Sequence, residues 1–313
     1  MRYPNETKKR KRGGTILLTE HEFLLEDRIA KIQSIIKQGG EERFYLSFSG
    51  GKDSTVLHYL LDMALPNNKI PRVFINTGIE YNMIVDFVKE LAKNDDRIEI
   101  LNVGKNIKKT LDEVGYPFKS KEHSLKLSEF KKGSRAQSVL DYMQGKTKFA
   151  CPKKLLYQFN DDFTLKISDR CCYELKKKPF YSYQKETGKT ITLTGMRREE
   201  GGQRGHLPCI VSDKTGKLLK FHPLSVVSEQ WEDWFIQNYK IRLCELYYPP
   251  FNFKRTGCKG CPYNLDLQEQ LLIMEKHLPN EAKQCEMIWK PIYDEYRRIN
   301  YRLKRNVQLS LFD

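Results

Sequence analysis

The chain has 313 residues, with 55 Lys and Arg against 40 Asp and Glu, a formal net charge of +15 and a pI near 9.3. At 39% hydrophobic and 12% aromatic it holds enough apolar material for a sizeable core, which excludes a wholly disordered chain, and its length suits about two domains. No run of about 18 apolar residues occurs and no apolar segment follows the basic N-terminus, so neither a membrane span nor a secretory signal fits and a cytoplasmic protein is expected.

Residues 1–19, with Lys8-Lys9-Arg10-Lys11-Arg12, read as a disordered basic arm. Phe23, Leu24, Leu25, Ile29, Ile32, Ile35 and Ile36 recur at helical spacing and predict a helix over 20–37, closed by Gly39-Gly40. Strands are then expected at 43–48, 72–76 and 97–103, alternating with helices at 54–65 and 83–93. That alternation argues an α/β fold with a mainly parallel sheet flanked by helices. Residues 104–154 read as a less regular, lysine-rich basic insertion. A strand at 190–194, a hairpin around Lys214-Thr215-Gly216-Lys217 and a helix over 228–239 with Trp231 and Trp234 come next. Helices at about 265–277 and 281–302 finish the body. The expected organisation is a nucleotide-binding α/β domain over 20–240, a helical region with a Cys-x-x-Cys pair over 241–305, and a tail over 306–313.

Ser49-Gly50-Gly51-Lys52-Asp53-Ser54 falls between a predicted strand and a predicted helix. Two glycines let the backbone approach an anion, and the helix start offers unpaired N–H groups with partial positive charge, so the segment reads as a phosphate site. Ser49 and Ser54 add hydroxyls, Lys52 a cation, and Asp53 a ligand for Mg²⁺ bridging phosphates. The bland alternative is a Gly-Gly turn with Ser54 as a helix cap. The spacing is not that of a Walker A loop.

The loop resembles the S-G-G-x-D-S pyrophosphate loop of the adenine-nucleotide α-hydrolase superfamily, which includes N-type ATP pyrophosphatases, tRNA thiolases and the sulfonucleotide (PAPS/APS) reductases. Val73-Phe74-Ile75-Asn76-Thr77-Gly78-Ile79-Glu80 is similar to that superfamily's second-strand D-T-G segment, with Asn76 for Asp. Gly195-Met196-Arg197-Arg198-Glu199 resembles the reductases' G-x-R segment, and His222-Pro223-Leu224 through Trp231-Glu232-Asp233-Trp234 resembles their N-P-L…W segment. The resemblance implies ATP, or PAPS or APS, held on residues 49–54, Thr77 and Gly78 near the adenosine, and Arg197 and Arg198 facing phosphate or sulfate.

Among eight cysteines, Cys171-Cys172 and Cys258-Lys259-Gly260-Cys261 form the informative pairs. A C-x-x-C with glycine can fold around a metal, whereas adjacent cysteines on a single ion strain the chain. Together they resemble the Cys-Cys…Cys-x-x-Cys pattern of APS-type reductases, which implies a [4Fe–4S] cluster on Cys171, Cys172, Cys258 and Cys261. Zinc is the alternative metal, and Cys151 a substitute for one of the adjacent pair. Cys209, Cys244 and Cys285 read as buried small hydrophobes. The reductases' nucleophilic cysteine near the C-terminus has no counterpart, since no Cys follows Cys285.

Gln308-Leu309-Ser310-Leu311-Phe312 is similar to the peptide by which bacterial replication and repair proteins dock on the DNA sliding clamp, the alternative being an apolar tail packed on its own domain. Three functions are weighed on these grounds. The first is ATP-dependent sulfur transfer to nucleic acid, DNA foremost, resembling tRNA thiolation and DNA phosphorothioation, with a sulfur-donor protein or thiol carrier as partner. The second is a sulfonucleotide reductase recruiting Cys285 or another cysteine; the third is a non-catalytic, nucleotide-gated nucleic-acid-binding module. Charge spread over the arm, the insertion and residues 290–305 fits a long polyanion better than a small substrate.

Overall fold

The computed structural model describes residues 18–304, so the basic arm up to residue 17 and the clamp-peptide-like segment 308–312 lie outside the described residues. Thr19 caps helix α1 (Glu20–Gly39) in a reciprocal capping box with Glu22. There follow β1 (Phe44–Ser47), α2 (Lys52–Ala64), β2 (Arg72–Asn76), α3 (Asn82–Ala92) and β3 (Ile98–Asn102). Each lies close to its sequence expectation, because the apolar period changes at each boundary.

The basic insertion departs from expectation: it is regular, holding α4 (Ile107–Val114), α5 (Lys121–Lys131) and α6 (Gln137–Met143), with Asn106 and Ser120 capping the first two. Its Phe118, Leu127 and Tyr142 enter the main core. A single π-helical turn, Tyr173–Lys177, runs directly into α7 (Lys178–Thr187). The chain then forms β4 (Ile191–Leu193), β5 (Ile210–Ser212), β6 (Leu218–Phe221), α8 (Glu229–Asn238), α9 (Leu267–His277) and α10 (Pro279–Arg298).

Six strands form one sheet in the order β3-β2-β1-β4-β6-β5, parallel throughout except for β5, which pairs antiparallel with β6 in the expected hairpin. Side chains alternate across it. Phe44, Leu46 and Phe74 face the main core, while Tyr45, Val73 and Ile75 face a smaller cluster closed by Tyr183 and Phe180 of α7. Helices therefore cover both faces, as a buried parallel sheet requires. The main core runs unbroken in sequence reach from Leu25 to Leu303. Strand order reverses between β1 and β4, and a crevice at the C-terminal ends of such strands is where α/β sheets bind ligands. No described helix is long and apolar enough to cross a membrane.

Candidate functional site

The loop after β1 lies at that reversal. Gly50 has φ +69°, and a Cβ there would come 2.8 Å from Val88 Cγ2 of α3, so only glycine fits both backbone and space. The Ser49 and Ser54 hydroxyls are 3.0 Å apart, and Ser54 Oγ donates to the Gly51 carbonyl at 2.9 Å. Gly51 caps α2 without a side chain, which leaves its first amides for another acceptor. The amide of Lys52 donates to the Tyr247 hydroxyl at 2.9 Å, and that hydroxyl also meets Thr256 Oγ1 at 2.7 Å.

The segment after β4 closes on the same helix end. A Cβ on Gly195 would stand 2.6 Å from the Asp53 carbonyl oxygen, so the backbones touch there. Arg197, buried, donates from Nε to Asp53 Oδ1 at 3.1 Å and from Nη1 to Glu199 at 3.0 Å. The first turns of α8 supply Glu229, Glu232 and Asp233, each 3.4 Å from Lys52 Nζ. Glu232 also lies 3.4 Å from Arg197 Nη2; its side chain is 0% exposed, and neither of its oxygens has a hydrogen-bond partner. Burial and the nearby Asp53 push its carboxyl up to about 8, against the pull of Arg197 and Lys52. Burial alone would lower the Lys52 ammonium, but Glu232, Asp233 and Glu229 outweigh it and leave it raised. Two cations thus sit among five carboxyl groups.

On the other side of the loop, Thr77 follows β2. Its amide and hydroxyl both donate to buried Glu80 at 2.9 Å, while Gly78 is open to solvent with φ +85°. Lys176 Nζ lies 3.5 Å from Glu80, and it is raised chiefly by Cys258, against burial and with help from Glu80. The Cys258 loop is also tied directly to this segment, since the Lys259 amide donates to the Ile79 carbonyl at 2.8 Å.

Cys171 and Cys172 directly precede the π-turn, and they and the Cys258–Cys261 pair are near enough to influence one another electrostatically. The hydrogen bond between the adjacent thiols, together with burial, raises Cys171. The same bond lowers Cys172 to about 6 against burial, helped by Lys121 and Lys176. Helix α10 holds the second pair in place: Trp289 donates to the carbonyl of Lys259 at 3.0 Å, Tyr293 to that of Gly260, and Tyr296 to that of Pro262 at 2.8 Å. A single tetrahedral zinc, at about 2.3 Å from each sulfur, would need sulfurs about 3.8 Å apart. Among the described residues the only three metal-ligating groups with atoms all within 4.8 Å of one another are His58, Asp62 and Asp95, so the four thiols are spread more widely than that. The His58 group is an ion-pair network rather than a cation site, because Arg72 donates to His58 Nδ1 at 3.1 Å and Arg97 bonds both carboxylates.

The sequence model of the phosphoadenosine phosphosulfate reductase domain matches residues 43–151 and 144–264. The chain belongs to this family. An uncharacterised protein of Methanocaldococcus jannaschii is 38% identical over 104 residues, which are 30% of this chain and 25% of that protein. The chain therefore spans only a quarter of that relative's length. Adenosine 5'-phosphosulfate reductase of Geobacillus kaustophilus is 26% identical over 184 residues, 59% of this chain and 69% of the enzyme. Among solved structures, phosphoadenylyl-sulfate reductase from Candida auris in its phosphate complex is similar at 17% identity and a TM-score of 0.42, covering 78% of this chain and 98% of that one.

Within this PAPS reductase-family chain, Arg197 meets the loop Ser49, Gly50, Gly51, Lys52, Asp53 and Ser54 through Asp53, with Thr77 and Gly78 at the end of the next strand. Arg198 is exposed and turned toward the Leu207 carbonyl, to which its Nε donates at 2.6 Å. Cys151 makes its contacts elsewhere, with Tyr142 and Lys119. Sequence reasoning missed Glu232, Tyr247, Glu80 and Lys176. Glu80 and Glu232 lie inside segments already singled out by resemblance but were given no role, Lys176 lies four residues beyond Cys172, one helical turn away, and Tyr247 had no signal.

Proposed function

We propose that this chain is an ATP-dependent, AMP- and pyrophosphate-forming enzyme that transfers sulfur to nucleic acid, DNA foremost. The observation that carries this reading is the charge of the loop's surroundings, the carboxylates of Asp53, Glu199, Glu229 and Asp233 against two cations, beside the raised Glu232. A bare polyanion is repelled there, whereas a nucleotide arriving with Mg²⁺ on Asp53 is not. Lys52 and Arg197 exchange their carboxylate partners for the phosphates, the open amides of α2 donate to phosphate oxygens, and Arg198 stands at the rim for the second substrate. An acceptor oxygen attacks the α-phosphorus of ATP, the α–β anhydride bond breaks and pyrophosphate leaves. Sulfur from a donor protein or thiol carrier then displaces AMP from the activated atom.

The four soft thiolate donors of Cys171, Cys172, Cys258 and Cys261 suit a [4Fe–4S] cluster, and their spread favours it over one zinc ion. Such a cluster would supply fixed charge or an electron beside the nucleotide. Lys176, between Cys258 and Glu80, links the cysteines to Thr77.

Sulfonucleotide reduction is the second reading, favoured by the likeness to APS reductase. It needs an accessible thiolate. Cys285, Cys151 and Cys244 are buried, which leaves Cys209 among the cysteines outside the group of four. The deciding experiment purifies the protein anaerobically and analyses products from ATP, PAPS and APS, each with and without DNA or tRNA. DNA-stimulated AMP and pyrophosphate, from brown protein with about four iron and four sulfide per chain, is the expected result. Thiol-dependent sulfite release that disappears in Cys209→Ser would replace the first reading by the second, and nucleotide binding without turnover would sink both.

A further inference from the structure

An exposed aromatic pair starts at the residue directly after the adjacent cysteines. Tyr173 is 39% exposed and Tyr181 55%, and although eight residues apart their ring centroids lie 6.3 Å from each other. The π-turn and α7 bring residues 173, 177 and 181 to one face, so exposed Lys177 falls between the rings in sequence. Arg170 stacks its guanidinium 5.4 Å from the Tyr173 ring centre. Large aromatic surface left in water is expected to have a partner.

Charge says what kind. Glu174 is held by Lys105 at 3.1 Å, Arg170 at 3.3 Å and Lys178 at 3.4 Å. Its carboxylate is therefore spent, and it joins the rings to a surface cleft lined by Lys105, Asn106 and Lys109. Five cations thus flank the two rings, against Glu174, Glu113 and Asp169. The platform is rigid from behind, because Phe180 and Tyr183 on the opposite side of α7 pack on Tyr45 of β1, with ring centres 5.7 and 5.5 Å apart. That strand leads directly into the phosphate loop.

We infer that Tyr173 and Tyr181 are a stacking platform for unpaired bases of single-stranded DNA, with Arg170, Lys177, Lys178, Lys105 and Lys109 tracking its phosphates. Ring faces accept any base, and flanking cations bind a backbone without reading sequence. A duplex hides its base faces and gains little from the rings. Stacking on the rings and contact with phosphates do not distinguish a deoxyribose from a ribose strand, so the patch by itself does not choose between DNA and RNA. A strand laid along this face passes beside Cys172, which is where a sulfur-transfer reaction would need it. The inference rests on the proposed function for its choice of DNA.

The test is anisotropy of a short fluorescein-labelled single strand titrated with the full-length, anaerobically prepared protein at several salt concentrations. Wild type should bind the single strand more tightly than the same sequence as duplex. Tyr173→Ala and Tyr181→Ala should each weaken binding about tenfold, while the double Tyr→Phe variant stays within about twofold of wild type. Lys178→Gln should weaken all sequences alike and flatten the salt dependence. Alanine variants that bind as wild type overturn the platform, as does equal or tighter binding of duplex or of poly-glutamate, and clearly tighter binding of same-sequence RNA overturns the choice of DNA. Wild type that binds no nucleic acid would sink the proposed function as well, whereas wild-type binding untouched by the tyrosine changes would sink the platform alone.

Discussion

Gly195 fixes the distance between two strands' loops. Its missing side chain lets the backbone after β4 rest on the first turn of α2; a Cβ would stand 2.6 Å from the Asp53 carbonyl oxygen, 2.8 Å from its carbon and 3.0 Å from the Ser54 nitrogen. Those are main-chain atoms of a helix start, which cannot swing aside as a flexible side chain would. Gly195→Ala should therefore cost about 1–3 kcal/mol by overpacking and push Asp53 and Ser54 away from Arg197. The expected outcome in thermal unfolding is a lower Tm together with a smaller Tm gain on adding ATP and Mg²⁺. Gly257→Ala is the control, since a Cβ there meets nothing within 4 Å. A variant at 195 with an undiminished nucleotide shift would show that this contact does not set the loop.

Helix α8 presents its acidic first turns to Lys52 because of one hydroxyl. Ser228 Oγ accepts from the Trp231 amide at 3.1 Å, and Glu229 and Glu232 follow within the first turn, where negative charge favours the helix N-terminus. Ser228→Ala should cost about 1 kcal/mol and loosen the carboxylates around Lys52; Ser228→Thr should restore both. Melting temperature and ATP–Mg²⁺ affinity are the measurements, and unchanged affinity in a destabilised Ser228→Ala would separate the cap from the site. At this scale the sequence was a good guide wherever burial followed an apolar period, as in β1 to β3 and the helices between them. It failed at α5 of the insertion for a physical reason. The buried residues of α5 are His123, Ser124, Leu127 and Ser128, so the face that packs inward is mostly polar and leaves no apolar stripe to read. The site divides in the same way. The loop motif announces itself through glycines and position, but the seclusion of Glu232 and the reach of Tyr247 to the Lys52 amide are products of tertiary packing.

For the whole molecule, the polar residues buried in the core set a pH limit. His58, His123 and His222 are buried, and burial lowers each to about 4; Arg72 adds to the effect on His58, and Lys220 on His222. For His123 the hydrogen bond to Gln158, at 2.7 Å, opposes burial without overcoming it, and the ring's other nitrogen meets the Tyr142 hydroxyl at 2.9 Å. These rings are neutral when folded, whereas an unfolded histidine takes up its proton near pH 6.5. Between about pH 6.5 and 4 the unfolded chain therefore binds more protons, so stability rises with pH across that window and is lost as pH falls through it. The loss is on the order of 3 kcal/mol for a fully buried ring at the acid end. Asp62 and Asp95, lowered by their arginine partners in spite of burial, lose their contribution only further down, as pH falls below the ordinary aspartate value. Urea unfolding between pH 7 and pH 4.5 should then show a steep fall for wild type. His123→Gln, which keeps hydrogen-bonding groups but cannot charge, should begin less stable at pH 7 and fall less steeply. If its stability declines in parallel with wild type, the acid sensitivity of this fold does not come from His123.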